Sequence, residues 1–348
     1  MKASGLRLIA TVVGLLIIAL ACAPAAPQPK QVVKVTMGGI RGVSDAGDFI
    51  ALEKGFFREQ GLDVESLAFD TGAKMMAPLA TGELDVGATA PAAALFNAVA
   101  REITIKIVAD KGSVPQKDSF QSLLVRQDLI DSGKVKDYAN LKGLKVALVF
   151  TGVSGHVELD NALKKGGLKL EDVEVVAIPF PDMAVAFANK SIDAAINIEP
   201  FVTDAQEKKL AKVFKMSNEF YPNHQQAVVL YSPEFVKNKP DAAKRYMVAY
   251  LKAVRYYNDA FVKKDKKAMD EVIDILAKST AVKNKDLYAK MTMPGLDPDG
   301  RVMIDSLKFD QDWYMAKGFQ KEKADIDKLV DTSFAKYAVE QLGGAYKK

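Results

Sequence analysis

The feature that most restricts how this chain folds is an internal repeat. Asp63-Val64-Glu65-Ser66-Leu67-Ala68 returns 109 residues later as Asp172-Val173-Glu174-Val175-Val176-Ala177. Ala80-Thr81-Gly82-Glu83-Leu84-Asp85 is matched at an offset of 108 by Ala188-Asn189-Lys190-Ser191-Ile192-Asp193. Each copy then runs through a short apolar stretch to a proline, Pro91 or Pro200. In both, a strand leads through a turn to a helix, and Leu-Asp or Ile-Asp opens the next strand. The proline follows at a helix start, where its missing N–H costs nothing. The repeat predicts two related α/β lobes instead of one long sheet.

The spacing of apolar residues fills in the first lobe. Val32–Thr36 reads as a strand, and Asp48–Gln60 as a helix ending at Gly61. Strands are expected near Val64–Phe69, Val86–Thr89 and Ile103–Ala109, with helices near Lys74–Thr81 and from Pro91. Strand–helix alternation with short links predicts parallel sheets covered on both faces. Ser119–Arg126 and Gln225–Ser232 are extended runs about 100 residues apart, natural places for the chain to leave the first lobe and return to it. Beyond Pro233 the period turns helical, with Tyr246, Tyr250, Ala253, Val254, Tyr257 and Phe261 on one stripe.

Composition removes several function classes. One cysteine and two histidines exclude a disulfide scaffold and leave any metal site to carboxylates, so neither a metal nor a cofactor is expected. Asp297-Pro298-Asp299-Gly300 reads as a turn, since a calcium loop would need a longer acidic run. The sole cysteine stands in an informative place. Lys2 and Arg7 precede an uncharged stretch, Leu8–Ala23, too short to span a membrane but suited to a signal peptide. It closes on Ile18-Ala19-Leu20-Ala21-Cys22, which resembles a bacterial lipobox. Residues 1–21 are read as a lipoprotein signal peptide, Cys22 as its lipidation site, and 22–31, rich in Pro and Ala, as a tether. Cleavage removes Lys2 and Arg7, leaving a formal charge near +2 with no electrostatic case for nucleic-acid binding.

Ala51-Leu-Glu-Lys-Gly-Phe-Phe-Arg-Glu-Gln-Gly-Leu-Asp-Val-Glu65 followed by Leu79-Ala-Thr-Gly-Glu-Leu-Asp-Val-Gly-Ala88 resembles the substrate-binding proteins of ABC importers in the nitrate/sulfonate/taurine family, which includes binders of thiamine-pyrimidine precursors. Leu141–Ala147 and the Ser154-Gly155-His156 turn fit the second lobe of that family. The resemblance implies a type II periplasmic-binding fold, two α/β lobes joined by two crossover strands with a ligand cleft between them. Lobe 1 would comprise 32–120 plus 230–348 with the C-terminal helices, and lobe 2 would comprise 121–229. It implies an extracytoplasmic, lipid-anchored monomer that passes a small solute to ABC permease and ATPase subunits.

In such sheets ligands sit beyond the carboxyl ends of strands, where helix N-termini present free N–H groups. Small and hydroxyl residues at these turns are the candidate contacts: Ser44 and Asp45, Asp70, Thr71 and Gly72, Thr89 and Ala90, and Thr151, Ser154, Gly155 and His156. The same residues serve equally as caps of their own helices. Asp182, Met183, Glu199 and His224, with Phe180, Phe201 and Tyr221, complete the set. A rim carrying Asp45, Asp70, Asp182 and Glu199 favours an aromatic or mixed-polarity solute over a bare oxyanion. An enzyme is the competing class. Gly152-Val-Ser-Gly-His156 departs from a nucleophile elbow at its fifth position. A thiamine-pyrimidine synthase on the same fold would be expected to hold an iron site with internal cysteines, which this chain lacks beyond Cys22. A ligand-sensing receptor domain is the third reading.

Overall fold

The computed structural model describes residues 32–114 and 119–347. The expected signal peptide, lipidation site Cys22 and tether fall outside the described residues.

Among the described residues, ten strands form two five-stranded sheets. The first contains β1 (Val33–Gly39), β2 (Leu62–Ala68), β3 (Val86–Thr89), β4 (Lys106–Val114) and β10 (His224–Tyr231), in the order β2-β1-β3-β10-β4. The second contains β5 (Gln121–Arg126), β6 (Lys145–Leu148), β7 (Glu174–Ala177), β8 (Ala194–Ile198) and β9 (Ala211–Met216), in the order β7-β6-β8-β5-β9. The two orders superimpose strand for strand. In each sheet the first three strands are parallel and the fourth, one of the two runs that link the sheets, enters antiparallel. The repeat seen in sequence is thus a repeat of topology.

The duplicated aspartates do the same work in both lobes. Asp85 Oδ2 accepts the N–H of Thr36 at 3.0 Å, and Asp193 Oδ2 accepts that of Lys145 at 3.0 Å. Each carboxylate ties the entry of its strand to the neighbouring one and holds a cation, Lys239 for Asp85 and Arg126 for Asp193. Ser119–Arg126 and Gln225–Ser232 are more than connectors. Each supplies a buried strand, β5 paired with β8 and β9, and β10 paired with β3 and β4. The return to the first sheet therefore begins at His224.

The principal helices are α1 (Ala46–Glu53), α2 (Ala93–Ala100), α3 (Ser154–Lys165), α4 (Pro240–Phe261), α5 (Lys266–Ser279), α6 (Ile304–Ala316) and α7 (Ser333–Gln341). The single helix expected over Asp48–Gln60 is two, because Gly55 takes a left-handed conformation at φ 75° that separates α1 from a short turn at Phe56–Glu59. α4 buries Tyr246, Tyr250, Val254 and Tyr257 and packs on α1, α5 and α7. Its tyrosines end on fixed acceptors, the hydroxyl of Tyr250 donating to the carbonyl of Asp110 and that of Tyr257 to the carbonyl of Pro294. Among the described residues no helix is long and apolar enough to cross a membrane.

Candidate functional site: a cavity between the two sheets

Loops from both sheets meet. The N–H of Ala93, at the start of α2, donates to the carbonyl of Gly152 at 2.9 Å, and that of Val43 to the carbonyl of Glu199 at 3.4 Å. Ala92 and Val153 form an antiparallel bridge. Behind these contacts lies a tight cavity of about 30 Å³. Ile40, Leu148, Val149, Phe150, Phe180, Ile196 and Ile198 give it apolar walls. Ser44, Lys111, Gln121, Ser154 and Gln226 supply its polar groups.

Lys111 is the electrostatic centre of this wall. Its side chain is 2% exposed, with Nζ 2.7 Å from Asp45 Oδ1 and donating to Ser44 Oγ at 2.9 Å. Asp45 is positioned in turn by the N–H of Gly42, which donates to Oδ2 at 3.1 Å. Deeper still, Asp48 receives the hydroxyl of Tyr246, yet burial, reinforced by the negative charge of Asp45, pushes its carboxyl up to about 7. Three lining side chains retain an unpartnered buried atom: Gln121 Oε1, Ser154 Oγ and Gln226 Oε1. Buried polar atoms in folded proteins are paired as a rule, so a cluster of free ones facing one space marks where a partner belongs.

Of the residues expected at the site, Ser44, Ala90, Ser154 and Gly155 line this cavity, and Phe180 forms part of its wall, stacked on Phe201. Asp45 stands one layer behind, through Lys111. Gly72 and Thr89 pack on each other outside it: a Cβ on Gly72 would fall 1.9 Å from Thr89 Oγ1, an atom otherwise unpartnered. The four carboxylates are not brought together. Asp70, paired with Lys74, Asp182 and Thr151 are exposed, while Thr71 extends into the turn beside Asp70. Glu199 is buried and accepts both the N–H and the hydroxyl of Thr203, at 2.9 and 2.8 Å; burial nevertheless lifts its carboxyl to about 7. Met183 is core.

Both histidines hold structure together away from the cavity. His156 Nδ1 accepts the N–H of Gly152, and its ring packs against both Trp313 and Phe319; burial holds it neutral, down to about 4. His224 is fully buried, its Nδ1 2.6 Å from Glu158 Oε1 and its Nε2 3.2 Å from Asp310 Oδ2, with Tyr221 stacked on its ring. Lys111, Gln121, Gln226 and Phe150 went unidentified in sequence. The available signal was the polar residue inside an otherwise apolar strand, as in Ile107-Val108-Ala109-Asp110-Lys111.

The model of the NMT1-like family matches residues 28–277. The chain belongs to that family. A Brucella abortus protein named only as a binding protein is 30% identical over 242 residues, covering 68% of each chain. The 4-amino-5-hydroxymethyl-2-methylpyrimidine phosphate synthase THI11 of Saccharomyces cerevisiae is 29% identical over 220 residues, 60% of this chain and 62% of the yeast protein. Among solved structures, the periplasmic nitrate-binding protein of Synechocystis PCC 6803 superimposes with a TM-score of 0.75 at 16% identity, covering 90% of both chains. The expected fold of periplasmic solute-binding proteins is the one this family member adopts.

Proposed function

We propose that this NMT1-like protein is the extracytoplasmic solute-binding component of an ABC importer, capturing a small organic solute between its lobes and delivering it to a membrane permease. The carrying observation is the cavity: apolar walls, one buried cation, and three buried polar atoms left free to meet a ligand. The apolar share of that lining favours a solute with an aromatic or branched body and a polar head over a bare inorganic ion. Its partners would be permease and ATPase subunits, with Cys22 as lipid anchor and a monomer as the working form. Binding energy would come from cleft contacts and lobe closure, with no chemical step.

The test is mass spectrometry of small molecules released from natively purified protein, with a thermal-shift panel of aromatic acids, amides, pyrimidines, flavins and sulfonates. Retention of an organic solute supports the reading; recovery of nitrate alone overturns the proposed solute class. The identity to the yeast synthase favours a catalytic second reading. The two separate on turnover, since a receptor returns its solute unchanged and a synthase does not.

A further inference from the structure

One wall of the cavity carries a pairing rule of its own. Gln121, 2% exposed on β5, donates through Nε2 to Glu158 Oε2 at 2.6 Å. A carboxylate only accepts, so this contact fixes the amide: its nitrogen faces Glu158 and its oxygen faces the other way. Glu158 is itself held, taking the hydroxyl of Ser217 at 2.9 Å and lying 2.6 Å from His224 Nδ1. Gln121 Oε1 is therefore an acceptor that cannot exchange roles with its nitrogen, it has no partner among the described residues, and its residue lines the cavity.

The cation tells the same story from the other side. Lys111 already has Asp45 at 2.7 Å, both side chains being almost wholly buried. One positive and one negative charge leave this wall near balance, so a bare anion would bring a second negative charge into a space where, among the described lining residues, no further cation stands to meet it. An ammonium has three N–H groups; one is donated to Ser44, Asp45 lies at ion-pair distance, and the donor capacity that remains can meet a neutral acceptor.

We propose, resting on the solute-binding reading and deepening it, that Gln121 selects solutes whose polar head is uncharged and carries both a donor for Gln121 Oε1 and an acceptor for Lys111. A carboxamide on an aromatic or branched apolar body is the simplest such group. A carboxylate or sulfonate of the same shape offers Gln121 only oxygens and leaves its acceptor stranded.

The test is calorimetric titration of the full mature chain with matched pairs on one body: benzamide and benzoate, indole-3-carboxamide and indole-3-carboxylate, cyclohexanecarboxamide and cyclohexanecarboxylate. The expected result is an amide preference of about tenfold or more within the pairs that bind. Gln121→Leu, checked for folding by its thermal melt, should bring that preference to within about twofold. Tighter binding of the carboxylates overturns the head assignment and leaves the solute-binding reading standing, and an unchanged preference in Gln121→Leu overturns the role of Gln121. Should no pair bind while natively purified protein yields a released solute, the chemistry of that solute decides: a neutral donor-bearing head supports the proposal and an anionic one overturns it. No binding and no released solute overturns the solute-binding reading itself, and the inference with it.

Discussion

His224 has no exposed surface and sits between carboxylates from two parts of the chain, Glu158 on α3 and Asp310 on α6. Burial alone would lower its pKa; Asp310 and Glu158 together outweigh that and push it up to about 9. A histidine raised in the folded state stabilises fully below its ordinary value near 6.5, and the benefit drains as pH rises through about 9. Urea denaturation should therefore show the wild type losing roughly 2–4 kcal/mol relative to His224→Gln between pH 6 and pH 10. A flat difference would sink the ion-pair assignment. His156 works with the opposite sign: held near 4 by burial, it refuses a proton that the unfolded chain accepts, so its cost appears as pH falls from 6.5 towards 4. At the cavity, Lys111→Met strands Asp45 beside Asp48, and a loss of about 3–5 kcal/mol is expected by the same measurement. The small cavity residues Ser44, Ala90, Ser154 and Gly155 were legible because strand-to-helix turns announce themselves through hydroxyls and glycines. Lys111, Gln121 and Gln226 were not, since a polar residue within a strand looks the same whether it faces solvent or a second lobe.

Between elements, α1 meets the C-terminal helices closely at Gly47. A Cβ there would lie 2.5 Å from Tyr250 Cε2 and 2.9 Å from Val254 Cγ2, so α1 seats on α4 because this position has no side chain. Tyr250 cannot swing aside without surrendering its bond to the carbonyl of Asp110. Gly47→Ala should destabilise by about 1–3 kcal/mol even though alanine is the better helix former by about 1 kcal/mol. Denaturant midpoints decide it, and a stabilised variant would show that the helices slide apart freely. Elements were legible where period and punctuation agreed: β3 fell on Val86–Thr89 as read, and α4 carries the whole stripe from Tyr246 to Phe261. The first helix broke at Gly55 because apolar residues continue across it and hide the turn. The fates of Asp45 and Glu199 could not be read, since each depends on a partner or strand end brought from elsewhere in the chain.

At the scale of the molecule, a C-terminal helix adds to the loop contacts that hold the lobes together. Trp313 on α6 donates through Nε1 to Asp160 Oδ2 on α3 at 2.8 Å, and its ring stacks on Phe319 and packs against His156. Trp313→Ala removes this clasp, and small-angle scattering of the unliganded protein should show a larger radius of gyration than the wild type. Equal radii would place the control of closure in the mouth contacts at Gly152 and Glu199 instead. Two lobes were legible because a repeat survives in sequence when both copies keep the same aspartate at the same strand entry. The cavity between them was not, because it belongs to neither copy.

The nesting of one sheet inside the other also sets an order of events during synthesis. β5 to β9 are contiguous and can pair as soon as they are made. β4 has β10 as its strand neighbour among the described residues, with later segments at Gly295 and Val330 bridging its other edge; since β10 begins at His224, Lys106–Val114 waits on the order of ten seconds of translation for it. For that interval the earlier half of the chain is an unfinished sheet with an open edge, and it is a customer for whatever chaperone meets it first.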